Sequence, residues 1–324
     1  MSSVMVVLGA GASVDCGLCT LDQVFTDPQV QAMFSAGIPG TELIQELFWN
    51  DRGLTARTAH KGPNIEEILS TVLDWQSDNL IGQTQAVALR RAIYAIVWRA
   101  AYLGKQQRAL HLNELIKMMD ERFDECTWAT FNWDCKWEQS FYWSMGKSHP
   151  AYPQMLRNSP TPIVEKHKLL KLHGGVNWWF NEDGDTTYIP FASHAHSDSD
   201  LPVVEQWTRY EDDETNLRPA IVEPCYDKRK RILGSDFFSR QWGEFEERLA
   251  RSDLVVFAGY SLPEGDLHAK YSIVTAIMHG GLKKTIVVDP KKDTIAKYHR
   301  IISSSVIQIQ SGLADALPSL RANL

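Results

Sequence analysis

Apolar positions along the chain follow two alternating patterns. Short runs rich in β-branched residues, Val4 to Leu8, Thr127 to Phe131, Leu169 to Leu172, Leu254 to Ala258, Thr285 to Asp289 and Val306 to Ile309, are mostly followed by turn or helix signals. Runs of this kind suit strands buried on both faces. Residues from about 64 to 120 carry a helical spacing instead. Ile65, Ile68, Leu69, Val72 and Leu73 share one face, Ala86, Leu89, Ile93, Ile96 and Val97 a second, and Leu110, Leu115, Ile116 and Met119 a third. Strands alternating with helices predict an α/β fold, a mostly parallel sheet with helices on both faces, carrying a helical insertion over about 60–122. The rhythm breaks over about 180–235, where Asn181-Glu182-Asp183-Gly184-Asp185, the patch from Ser193 to Asp200 and the run Glu211-Asp212-Asp213-Glu214 read as an irregular small module. We take 1–324 as one domain bearing both additions.

Composition narrows the function classes. With 324 residues, 44% of them hydrophobic, the chain can bury a sizeable core. Its formal charge of −7 argues against a surface built to neutralise nucleic-acid phosphates. Lys283-Lys284, Lys291-Lys292 and Asp227-Lys228-Arg229-Lys230-Arg231 then read as solvated surface. No apolar run approaches the roughly 20 residues that cross a bilayer, so the expected setting is cytoplasmic. The five cysteines suit reduced thiols. Cys16 and Cys19 have metal-pair spacing without a second close pair, and His194, His196, Asp198 and Asp200 read as a solvated loop, so no metal is expected.

Candidate chemistry gathers where predicted strands end. The run Val4 to Leu8 empties into Gly9-Ala10-Gly11-Ala12-Ser13, whose glycines can take positive φ and whose helix-start amides favour an anion. A bare strand-to-helix turn would use the same residues. After the second run, Asn132 offers an amide to sugar hydroxyls or a water, and Asp134 either caps the next helix or stabilises positive charge. The third delivers His173 into Gly174-Gly175, as a base or as a structural imidazole. The fourth leads to Gly259-Tyr260-Ser261-Leu262-Pro263, with Ser261 able to bond phosphate or ribose and Asp266 placed to cap a helix from Leu267. Asp289 closes the fifth, as a candidate acceptor for ribose hydroxyls.

In this order, Gly9-Ala10-Gly11-Ala12-Ser13, Asn132 with Asp134, His173-Gly174, Gly259 to Pro263 with Asp266, and Val288-Asp289 resemble the sirtuin-like (SIR2-like) family, in particular its bacterial anti-phage defence branch. Asn64 to Leu69 and Ile221 to Lys228 look like further segments of that branch. The resemblance implies a Rossmann-like sheet that binds NAD as substrate, with His173 as base and Asn132 beside the nicotinamide ribose. Gly9, Ala10, Gly11, Ala12 and Ser13 would lie near the phosphates, and Gly259, Ser261 and Asp289 elsewhere along the dinucleotide. The four-cysteine zinc module of the deacetylases has no counterpart in the cysteine spacing. The expected reaction is therefore NAD hydrolysis to ADP-ribose and nicotinamide, with Asp134 supporting the developing positive charge. The alternatives are a deacylase, an ADP-ribosyltransferase, or a non-catalytic NAD- or ADP-ribose-binding module. An NAD-depleting enzyme needs gating, so a homo-oligomer or a regulatory partner, a HerA-type ATPase or an Argonaute-like protein, is also expected.

Overall fold

The computed structural model describes residues 2–16, 18, 24–26, 28–35, 41–46, 65–78, 80–82, 84–85, 88–89, 92–93, 96–97, 109–146, 156–157, 166–180, 186–188, 218–222, 228–280, 283–302 and 306–324. The six predicted strands form one sheet, from β1 (Ser3–Leu8), β2 (Glu125–Thr130), β4 (His167–Lys171), β8 (Leu254–Ala258), β9 (Thr285–Val288) and β10 (Val306–Ile309). Their order is β10-β9-β8-β1-β2-β4, and every neighbouring pair is parallel. Side chains alternate between the faces of a strand. In β1, Val4, Val6 and Leu8 on one face and Met5 and Val7 on the other are all at most 2% exposed, so both faces are covered.

The cover comes from helices. They are α1 (Gly11–Val14), α2 (Pro28–Ser35), α3 (Thr41–Ile44), α4 (Ile65–Ser77), α5 (Leu110–Arg122), α6 (Lys136–Met145), α7 (Lys228–Leu233), α8 (Asp236–Arg251), α9 (Leu267–Gly280), α10 (Lys292–Ile301) and α11 (Leu313–Asn323). Helix α8 packs on α9, β1 and β4, and α5 on α6 and α11. In α5 the buried face runs through Leu112, Leu115, Ile116 and Met119, whereas Leu110, expected on that face, is exposed. It stands at the first helical position, off the stripe that 3.6-residue periodicity aligns with the core.

Ile65, Ile68, Leu69 and Val72 of α4 pack with Val24, Phe25, Leu89, Ile93, Ile96 and Val97 in a core separate from the one around the main sheet. Trp133 packs against this second core and Ile221 belongs to it, which ties the insertion to the carboxyl edge of the main sheet.

A second sheet was not legible in the sequence. It orders β3 (Leu156–Arg157), β6 (Thr186–Tyr188), β5 (Gly174–Phe180) and β7 (Arg218–Ile221) as β3-β6-β5-β7, with β5 antiparallel to both its neighbours. The stretch read as irregular over 180–235 thus contributes β6, β7 and α7. Strands of two to four residues are too short to display a period, which is why the pattern missed them. Residues 181–185 and 189–217, with the His194 to Asp200 patch and the acidic run, lie outside the described residues, as do Cys19 and Cys225.

Candidate active site

Strand order decides which loops meet. From β1 the sheet proceeds through β2 to β4 on one side, and on the other through β8 to β9 and β10, so the order reverses between β1 and β8. In open parallel sheets a crevice forms beyond the carboxyl ends of the strands at such a reversal. Along that edge the candidate residues follow the sheet: Asp289 after β9, Gly259 to Asp266 after β8, Gly9 to Ser13 after β1, Asn132 to Asp134 after β2 and His173 after β4.

The two loops flanking the reversal are packed backbone to backbone. Gly9 N–H donates to the Ala258 carbonyl at 3.1 Å and Gly11 N–H to that of Gly259 at 2.9 Å. A Cβ on Gly9 would stand 2.4 Å from Tyr260 Cα, and one on Gly259, at φ +63°, 2.3 Å from Ala12 N. Positive φ was expected at Gly9 and Gly11, but of this group only Gly259 adopts it. The first two glycines serve the close approach of the β8 loop instead. Ala12 and Ser13 donate their N–H groups to the Gly9 and Ala10 carbonyls, leaving exposed Ala10 as the outward part of the turn.

Asn132 ties the next loop to this one. Its Nδ2 donates to the Gly9 carbonyl at 3.0 Å and lies 3.1 Å from buried Ser13 Oγ, while its own N–H donates to Thr130 Oγ1. With the nitrogen so engaged, the amide oxygen is left for another partner. Asp134, one residue ahead of the N-cap Cys135, accepts the Lys136 N–H on Oδ1 at 2.8 Å and so fixes the entry to α6. Its carbonyl accepts from Lys171 Nζ at 2.7 Å.

Lys171 is fully buried, and its Nζ lies 2.8 Å from Glu138 Oε1 and 3.9 Å from Cys135 Sγ. Burial works against its charge, but the neighbouring Cys135 thiol and Glu138 carboxylate hold its pKa above the ordinary lysine value. This pair lies under the β2 and β4 loops and braces them.

His173 is 5% exposed, and the turn after it depends on Gly174, at φ +75°, whose missing Cβ would fall 1.8 Å from the Ala220 carbonyl of β7. The His173 carbonyl accepts from Trp133 Nε1 and Val222 N–H, fixing the backbone on two sides. Its ring packs edge-on against Phe131 at 5.2 Å and lies 6.2 Å from Trp242. Burial pushes the imidazole down to about 4, against the upward pull of the Asp266 carboxylate and the Phe131 backbone. Its Nε2 has no hydrogen-bond partner. At neutral pH His173 is therefore an uncharged base with a free nitrogen.

Asp266 was expected to cap α9. Instead its carboxylate turns inward: Oδ2 accepts the Tyr260 hydroxyl at 2.6 Å and lies 3.7 Å from His173 Nε2, and the residue is 1% exposed. Asp266 Oδ1 and His268 Nδ1, both buried, have no hydrogen-bond partner either. Lys228, read as solvated surface, is buried and depresses the His173 pKa, as His268 does. Sequence reasoning missed Asp266, His268 and Lys228 as neighbours of the histidine. The one available signal was the carboxylate beside a glycine at the end of a strand, which a capping role absorbed.

Ser261 is exposed, and Leu262 beside it takes φ 49°, the single non-glycine residue with positive φ among the described residues. Asp289 is buried and its Oδ1 accepts the Lys291 N–H at 2.8 Å, so part of its acceptor capacity holds its own turn. Cys16, Cys126 and Cys135 are free and buried, and burial raises the first two thiols to about 12. Among the described residues no group of His, Cys, Asp and Glu is arranged to hold a metal ion. Trp137 and Trp178 are core residues, whereas Trp143 is exposed.

With 99% of its length aligned, the chain matches 88% of a solved Sir2 homologue in complex with NAD, at a TM-score of 0.50 and 11% identity. The fold is that of Sir2. Two other solved Sir2 homologues are variants, one in complex with ADP-ribose and one with 2′-O-acetyl-ADP-ribose. They align with 99% of this chain and with 90% and 91% of their own, at 11% and 13% identity and TM-scores of 0.49 and 0.48. At such identities the likeness to Sir2 concerns the fold. No protein-family model matches the sequence, and no curated protein does.

Proposed function

We propose that this protein hydrolyses NAD, cleaving the bond between nicotinamide and ribose to give ADP-ribose and nicotinamide. The observation that carries the reading is a buried, uncharged His173 with an unpartnered Nε2, set beside Asn132 on the ligand-binding edge of a Sir2 fold. Breaking this bond turns a pyridinium into a neutral leaving group, so catalysis consists mainly of stabilising an oxocarbenium-like ribose and supplying its nucleophile. Asn132 orients water or the ribose hydroxyls through its amide oxygen. His173 accepts the proton that the attacking oxygen gives up, and water's oxygen ends on the ribose. Unpartnered His268 Nδ1 is a further polar group able to meet a sugar. Asp134, fixed at the α6 entry, acts on the charge of the ribose from the side of Asn132.

Along the dinucleotide, Ala10, Gly11 and Ser13 face the phosphates, with Gly9 and Ala12 shaping the turn, and Gly259, Ser261 and Asp289 bind the part beyond the reversal. Because the amides of Gly9, Gly11, Ala12 and Ser13 already bond carbonyls, Ala10 is the amide assigned to phosphate. We assign the chain to anti-phage defence as an NAD-depleting effector. In that role it stays silent until an oligomeric state or a regulatory protein, HerA-type or Argonaute-like, releases it. Its expected compartment is the cytoplasm, and among the described residues no helix is long and apolar enough to cross a membrane.

Incubating the purified chain with NAD and following both products by chromatography tests the reading, alone and with the proteins encoded beside it. Turnover that His173→Ala and Asn132→Ala abolish supports it. O-acyl-ADP-ribose or ADP-ribosylated protein in the mass spectrum would move the acceptor from water to a protein and favour a deacylase or a transferase. Binding of NAD with no turnover under any of these conditions leaves a regulatory module.

A further inference from the structure

The carboxylate beside His173 belongs to Asp266, and its placement is over-determined. Tyr260 donates its hydroxyl to Asp266 Oδ2 at 2.6 Å. The Tyr260 ring lies flat on Phe131, with centroids 3.9 Å apart and planes 4° from parallel, and Phe131 in turn packs edge-on against His173. The Tyr260 carbonyl accepts the hydroxyl of fully buried Tyr298 at 2.9 Å. Helix α9 begins immediately after Asp266, which removes backbone freedom from its other side. This much support leaves Oδ2 3.7 Å from His173 Nε2, and while Nε2 is unprotonated both atoms are acceptors and no hydrogen bond joins them.

We propose that Asp266, held by Tyr260, is the positioning carboxylate of this site, which receives the N–H that His173 Nε2 acquires during the reaction. The inference rests on the hydrolase reading for its chemistry. A proton leaves the attacking oxygen, forms the Nε2–H bond, and is then hydrogen-bonded to Asp266 Oδ2 until solvent takes it; no electrons change hands. The groups facing the imidazole are the Asp266 carboxylate, Lys228 from α7, His268 from α9 and the Phe131 backbone. Of the side chains among them, only Asp266 favours the charged imidazole, and Lys228 and His268 oppose it. Without Asp266 the base would take its proton into an environment of burial and positive neighbours, so the dyad is what makes so depressed a histidine usable. An opposite charge at this range is worth about one to three units of proton affinity.

Two readouts test this. In steady-state hydrolysis, Asp266→Asn lowers kcat by about ten- to a thousandfold with KM within about twofold of wild type, and Tyr260→Phe lowers it in the same direction while keeping the ring stacked. An unchanged kcat, or a raised KM with kcat preserved, would overturn the proposal, the latter because the carboxylate would then be holding substrate. The second readout needs no turnover. In the unliganded protein, an NMR titration of ¹⁵N-labelled imidazoles is expected to move the His173 midpoint to lower pH in Asp266→Asn, and an unmoved midpoint overturns the dyad. Should wild type show no NAD hydrolysis even with the proteins encoded beside it, the hydrolase reading fails while the titration still decides the pair. If Asp266→Asn does not fold, Tyr260→Phe under the same titration decides it.

Discussion

At the scale of single residues, His173 carries two separable expectations. As the base, its replacement by Ala abolishes turnover, and loss of Asn132 does the same by removing the group that orients the nucleophile; product chromatography checks both. As a buried imidazole it also couples stability to pH. Its pKa falls from 6.5 to about 4 on folding, so between these values the unfolded chain binds a proton that the native state refuses. Stability is therefore intact above 6.5 and declines as pH falls toward about 4. The decline due to this one group is about 2–3 kcal/mol between pH 7 and pH 4.5. Urea melts at the two pH values should show the wild-type loss exceeding that of His173→Gln by about this amount, and equal losses would show that His173 is not buried uncharged.

Elements of this fold are held by contacts that single substitutions expose. Gly174 joins β4 to β5 at a positive φ, with the Ala220 carbonyl where a Cβ would lie, so Gly174→Ala should cost more than about 2 kcal/mol and displace the His173 turn. Gly243 gives the opposite case. It sits inside α8 with nothing within 4 Å of its missing Cβ, so Gly243→Ala should stabilise by about 0.5–1 kcal/mol. The Lys171–Glu138 pair is fully desolvated on the lysine side, and Glu138→Gln leaves a buried ammonium short of its counter-charge at a cost of about 3–5 kcal/mol. Thermal or denaturant unfolding of the three variants decides each claim.

Legibility in the sequence also divides at this scale. Six strands were readable because a strand buried on both faces must be apolar throughout, and Val4 to Leu8 or Leu254 to Ala258 cannot easily be anything else. The second sheet was hidden because β3 and β6 hold two and three residues, and their pairing depends on β5 rather than on any pattern of their own. Strand ends likewise marked Asn132 and His173 before the sheet order placed them side by side. The partnership of His173 with Asp266 was not legible, since it arises from the reversal of strand order that sets the β8 loop against the β1 loop. Gly9 and Gly11 do not take the positive φ open to them; their missing side chains admit the neighbouring β8 loop.

For the whole molecule, the loops of the proposed site run from residues 9 to 289, so a ligand bound across them would clamp loops from five strands at once. Binding to the native state alone stabilises it by mass action, about 2.7 kcal/mol at a hundredfold excess over Kd. For a chain of this size that corresponds to a rise in Tm of about 4 °C. In wild type, hydrolysis would erode the effect as NAD is consumed, and the shift would drift toward that given by ADP-ribose. In His173→Ala the cofactor survives, because the variant lacks the base but keeps the loops after β1, β8 and β9. The expected result of differential scanning fluorimetry is therefore a stable NAD-induced shift in His173→Ala beside a decaying one in wild type. A shift absent from both proteins would place NAD outside this crevice. One that stays constant in wild type over hours, with activators present, would leave binding without hydrolysis.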